Sequence, residues 1–202
     1  MCTTNDQNST SKSTTYDPNK WIYIPSFNAN ADHRYAPRYV LGTRGKNPLI
    51  FICRNPSTGV PDDFDQTLTC ISNYIDRQTT YDSWIVLNLY PVRNDLNNKE
   101  GMVPRLHRSN LAAIEFVLSQ FDHPHICVAW GDIEEHPRFF IQCIHDVINR
   151  ANPFQPTYFC IEETQVGHPH MPLFIHIDEL NPFDMDEYRT TVLQSLEQRL
   201  QR

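Results

Sequence analysis

From residue 48 onward the chain alternates between two spacings of apolar residues, and that alternation limits the folds open to it. Pro48-Leu49-Ile50-Phe51-Ile52-Cys53 is a continuous apolar run, the mark of a strand buried on both faces. From Phe64 the spacing turns helical, with Phe64, Leu68, Ile71 and Ile75 on one side. Trp84 to Tyr90 is a second buried run, ended by Pro91. A second helical stripe follows in Leu111, Ile114, Val117, Leu118 and Phe121. Ile126 to Trp130 and Thr157 to Ile161 are the third and fourth strands. Between them Phe140, Ile144, Val147 and Ile148 form a helix face, with Pro137 suited to its first turn. Asp184 or Asp186 opens a last helix carrying Tyr188, Val192, Leu196 and Leu200. The rhythm predicts an α/β three-layer sandwich: a central, mostly parallel four-stranded sheet with helices on both faces. Right-handed crossovers then gather the strand-ending loops along one edge.

Ahead of this unit, Trp21-Ile22-Tyr23-Ile24 reads as a short edge strand, followed by a polar loop around Asn28 to His33. Arg38 to Arg44 has strand composition, and Gly45-Lys46-Asn47-Pro48 marks a turn. That order predicts N-terminal edge strands and a hairpin-like pairing of the second with the run at Pro48. Residues 1–19 are rich in Ser, Thr and Asn and read as a tail. Residues 20–202 then form a single α/β domain.

Charge and cysteine usage narrow the function classes. The balance is 17 basic against 24 acidic residues, a formal charge of −7, which argues against DNA as a partner because phosphate contacts need Lys and Arg. The six cysteines form no C-x-x-C pair, so a zinc ribbon or redox motif is not expected. Cys53, Cys127 and Cys160 sit in strand runs, where a reduced thiol acts as a small core residue. No signal-peptide pattern opens the sequence and no apolar stretch approaches the roughly 20 residues of a membrane span. A cytoplasmic protein without a membrane segment, cofactor or metal is the expectation.

Polar groups concentrate in the four loops that follow the four buried strands. The first loop carries Arg54, Asn55, Ser57 and Thr58; the second holds Asn88 and Arg93; the third has Trp130, Gly131 and Asp132; the fourth has Glu162, His168 and His170. Such a set suits an aromatic heterocycle bearing a phosphate or sugar. Trp130 stacks on the ring or packs in the core. Arg93 takes an anion in a fork geometry. Asn55 and Asn88 read an edge by paired hydrogen bonds, or serve a turn and a loop tie. Asp65 is a helix cap or a base. His168 and His170 have the spacing of a metal pair on a strand, with no carboxylate motif to complete it.

Taken together, Asn55-Pro56-Ser57-Thr58, Asp65-Gln66-Thr67, Asn88-Leu89 with Arg93, Trp130-Gly131 and Gly167-x-Pro-x-x-Pro172-Leu173-Phe174 resemble a bacterial and phage family. That family is known only as a domain of unknown function, number sixteen forty-three. The resemblance spans about Arg38 to Phe174 and keeps the motif order. Gln66 stands where the family has Pro, and Met171 where it has His, with His170 one place early. At greater distance the layout is similar to the uracil-DNA glycosylase superfamily. That likeness implies that Asn55 positions the attacking water, Asn88 reads the base and His170 stabilises the leaving base. The first loop lacks both glycines of that superfamily's motif.

Two functions follow as expectations. One is hydrolysis of an N-glycosidic bond on a nucleotide or modified base, with Asn55, His170 and Asp65 as catalytic groups. The other is a non-catalytic pocket for a nucleotide or nucleobase, with Arg54, Ser57, Thr58, Asn88, Arg93, Trp130, Gly131 and His168 as binding groups.

Overall fold

In the computed structural model, the residues described are 17–25, 37–93, 101–134, 136–172 and 177–200. The sequence-read tail up to residue 16, the loop Asn28 to His33, and Leu173 and Phe174 lie outside them. The strands are β1 (Trp21–Pro25), β2 (Arg38–Thr43), β3 (Pro48–Cys53), β4 (Ser83–Asn88), β5 (His125–Ala129), β6 (Thr157–Cys160) and β7 (Asn181–Pro182). The helices are α1 (Gln66–Ile75), α2 (Pro104–Leu118), α3 (Phe139–Ala151) and a C-terminal run. That run comprises α4 (Met185–Tyr188), a π-helical segment (Arg189–Leu193) and α5 (Gln194–Leu200).

The protein is α/β, built on one seven-stranded mixed sheet in the order β1-β2-β4-β3-β5-β6-β7. The expected parallel unit lies inside it: β3 pairs in parallel with β4 and β5, and β5 with β6. The sheet is wider than expected, because β1, β2 and β7 add antiparallel pairings at its flanks. The hairpin-like pairing of β2 with β3 is corrected. Both edges of β3 are already occupied in parallel, so β2 pairs with the free edge of β4, Leu41 opposite Val86. Gly42 permits this approach: a Cβ there would lie 2.6 Å from the Trp84 carbonyl oxygen. The two-residue β7 carries no apolar run, and sequence spacing misses it.

Strand alternation sorts the core into two layers. Ile50, Ile52, Ile85, Leu87, Ile126 and Val128 face a cluster shared with α2, α3 and the C-terminal run. Leu49, Phe51, Trp84, Val86, Cys127 and Ala129 face a second cluster that includes Leu68, Ile71, Tyr74 and Ile75 of α1. Both faces are therefore covered, which is why β3 and β4 are buried at every position. Among the described residues no helix is long and apolar enough to cross a membrane.

Chain path then fixes where a ligand can sit. From β3 the connection through α1 leads to β4 on one side. From β4 the connection through α2 leads back past β3 to β5 on the other side. The crevice at the carboxyl ends of β3 and β5 is thus a topological switch point, the general ligand position in open α/β sheets.

Candidate functional site

A cavity of about 550 Å³ opens at that switch point, on the face covered by α1. Its floor is apolar, made by Cys53 and Ala129 at the ends of β3 and β5 and by Val86 within β4. The loop Arg54 to Thr58 forms one wall, together with Asp65 and Thr67 at the start of α1. Arg93, Met171 and Pro172 complete the enclosure. Burial pushes the Cys53 thiol up to about 12, so it is a neutral floor group and not a nucleophile.

The loop is held by a carboxylate and a guanidinium. Asp65 caps α1: its Oδ1 accepts from the Leu68 N–H at 3.1 Å. Its Oδ2 accepts from the Gly59 N–H at 2.9 Å and from the Thr58 hydroxyl at 3.2 Å. Burial alone would raise the Asp65 pKa. Donors from Leu68, Ser57, Gly59 and Thr58 outweigh it and hold the carboxyl below its ordinary value. Arg38 of β2 reaches the same loop from behind. It donates to the Gly59 carbonyl, and its Nη2 donates to the Ser57 carbonyl at 3.3 Å.

Several polar atoms at this end of the sheet have no partner. The Asn55 Nδ2 donates to the Val92 carbonyl at 2.6 Å, but its Oδ1 is buried and unpaired. Asn88 is 1% exposed, and neither atom of its side-chain amide has a partner. It follows Val86 by two residues, so alternation places it on the cavity's face of β4. The Nε atoms of Arg38 and Arg54 are also buried and unpaired. Most buried polar atoms in folded proteins do have partners, so these atoms are candidates for contact with a ligand.

Of the sequence-read residues, Arg54, Asn55, Ser57, Thr58, Asp65 and Arg93 line the cavity. The others take different places. Asn88 is buried at the end of β4 and is not part of the lining. Trp130 is fully buried in the core of the α2–α3 face, where its Nε1 donates to the Tyr188 hydroxyl at 3.1 Å. His168 is equally buried and has its Nδ1 2.8 Å from the same hydroxyl. Burial draws the His168 pKa down. His170 is half-buried, and its N–H donates to the Glu162 carbonyl at 2.8 Å; it does not line the cavity. Gly131 adopts φ +73° and donates to the Pro169 carbonyl at 2.8 Å. A Cβ on it would lie 2.8 Å from Met171 Cγ, so a glycine here lets Met171 seat as part of the wall. Among the described residues no group of three His, Cys, Asp or Glu side chains is placed to hold a metal ion.

Sequence reasoning missed Arg38 and assigned no wall role to Met171. The signal for Arg38 is a cation heading a strand that is otherwise uncharged, Arg38-Tyr39-Val40-Leu41-Gly42-Thr43. Its targets lie about 20 positions further on, and only the tertiary fold brings them together.

Residues 38–173 match a family model described as protein of unknown function (DUF1643). No curated protein and no solved structure matches the chain.

Proposed function

The chain belongs to the DUF1643 family, and from its cavity we propose that it binds a nucleotide or a nucleobase-bearing relative. One observation carries this reading: an apolar floor of strand residues lies beside two arginines, Arg54 and Arg93, from the loops after adjacent strands. A flat heteroaromatic ring suits the floor, and a guanidinium offers a planar fork of donors to phosphate. The volume of about 550 Å³ falls in the ordinary range for small-molecule sites. Thermal shift with free bases, nucleosides and nucleotides tests the reading. A bound ligand at 100 times its Kd adds about 2.7 kcal/mol to stability. Arg93→Ala is expected to weaken nucleotide binding more than nucleoside binding. A flat response to the whole panel would overturn the proposal.

A second reading, N-glycosidic hydrolysis of the uracil-DNA glycosylase kind, is favoured by the unpaired Asn55 Oδ1. A buried acceptor at a cavity wall suits the positioning of a water. Asp65 adds no base to this scheme, because its oxygens accept hydrogen bonds from the loop and the helix. Incubation with nucleosides, nucleotides and uracil-containing DNA, with chromatography for free base, decides it. Release of base that Asn55→Ala abolishes supports hydrolysis. Absence of any free base rejects hydrolysis and leaves the binding reading in place.

A further inference from the structure

Two arginines around the Asn55–Gly59 loop spend their donors on neutral atoms. Arg38 is 6% exposed, and its guanidinium holds the carbonyls of Gly59 and Ser57. Arg54 donates from Nη1 to the Asp132 carbonyl at 3.0 Å. Among the described residues neither forms an ion pair. Buried cations are normally matched by an anion, since desolvated charge is costly when unpaired. Asp65 is the carboxylate in the cavity wall, and donors of the loop and helix occupy both its oxygens. The Asp132 carboxylate is exposed and accepts from the Thr164 hydroxyl at 2.6 Å. Among the described residues, Arg38 and Arg54 thus sit near Asp65 and Asp132 without an ion-pair contact to either, within a chain whose formal charge is −7.

Arg38 also orients the loop. It turns the Ser57 carbonyl toward itself, and in a trans peptide this sends the Thr58 N–H the opposite way. Burial draws the Arg38 pKa below its ordinary value, against the opposing pull of Tyr23 and Asp65. A guanidinium nonetheless remains charged at neutral pH.

We infer that the cavity selects a phosphomonoester dianion, as carried by a free mononucleotide, over a phosphodiester, with Arg38 as the positioning residue that sets this preference. The inference rests on the nucleotide reading above. A monoester carries about −1.5 to −2 charges at pH 7, with a second pKa near 6. A diester carries one. A polynucleotide backbone consists of diesters, so the same arginines that attract a mononucleotide give strands no comparable advantage.

The test is calorimetric titration of the full chain between pH 5 and 8. The probes are the four deoxynucleoside 5′-monophosphates and their 5′-methyl phosphate diesters. At pH 7.5 the monoesters are expected to bind roughly tenfold or more tighter. The gap should close as pH falls through about 6, where the monoester gains a proton and becomes a monoanion. No histidine among the described residues lines the cavity, and Cys53, pushed up to about 12, stays neutral throughout. The diester has no proton to gain in this range, so its pH profile is the control against which the closing of the gap is read. Arg38→Met should abolish the gap; Arg38→Lys, which keeps the charge but not the fork, should narrow it. Equal affinity for the two classes, or a pH-independent gap, overturns the inference while the nucleotide reading stands. Binding of neither class overturns the nucleotide reading, and this inference with it. The wild-type comparison decides the preference even where Arg38→Met does not fold, and a gap in Arg38→Lys as wide as that of the wild type overturns the role of Arg38.

Discussion

On the face covered by α2 and α3, most buried polar side chains bond to one another at one end at least, although Asn110 Oδ1, the Tyr158 hydroxyl and His168 Nε2 lack partners. Trp130 Nε1 and His168 Nδ1 share the Tyr188 hydroxyl. His107 lies 2.8 Å from Asp146 through Nε2 and 3.6 Å from Cys143 Sγ through Nδ1. Around the cavity on the α1 face, by contrast, Asn55 Oδ1, the whole Asn88 amide and the Nε atoms of Arg38 and Arg54 lack partners. Two asparagines make the contrast concrete. Asn110 Nδ2 donates to the Asn88 carbonyl at 2.7 Å and the Leu89 carbonyl at 3.3 Å, tying α2 to the end of β4. Asn88 itself, equally buried, uses neither end of its side chain. Closed sets of hydrogen bonds hold a fold together. Open ones keep a cost that a ligand can relieve.

Four substitutions probe this contrast, in falling order of effect on stability. Trp130→Ala removes a fully buried ring and should cost about 3–5 kcal/mol in denaturant unfolding. If nucleotide affinity of the folded fraction falls as well, the two faces are not independent. Asn110→Ala should cost about 1–3 kcal/mol, since two buried carbonyls lose their donor. A cost near zero would break the contrast at its paired end. Asp65→Ala should cost about 1 kcal/mol through the lost cap. Because the folded Asp65 pKa lies below its ordinary 3.8, its contribution is complete above the unfolded value and fades as pH falls through the folded one. Melting temperatures of wild type and variant should therefore converge below about pH 4. Asn88→Leu should change stability least, within about 1 kcal/mol and in either direction, because no hydrogen bond is lost. A large destabilisation would show that the Asn88 amide already has a structural role.

The parallel core was legible because its strands are buried on both faces and therefore read as unbroken apolar runs, as in Pro48–Cys53. That a polar loop and a capped helix follow this run was legible from the break after Cys53 and from the capping residue Asp65. Strand partnership was not. The alternation in β2 shows two faces but not which neighbour's edge is free, and that is decided by β3 having both edges occupied. Trp130 was read as stacking on a ligand or packing in the core, and it packs in the core. Ala129 lines the cavity floor, and alternation sends the next residue to the opposite core. His168 and His170 were grouped by their common loop and spacing, whereas Tyr188, from the distant C-terminal run, lies 2.8 Å from His168 Nδ1. The loop that carries them presents Met171 to the cavity instead.

Arg38 stands on β2, a strand outside the parallel unit, and crosses from the β4 flank to hold the turn that follows β3. In mechanical terms it is a guy line: the antiparallel flank acts as the anchor and the loop after β3 as the mast. Removing the first two strands would leave the four parallel ones with their own pairings while the loop lost its stay. The same cut would strip the buried Trp21, Val40 and Leu41 from the core, so a minimal version of this domain has to begin ahead of the strands that look like its core.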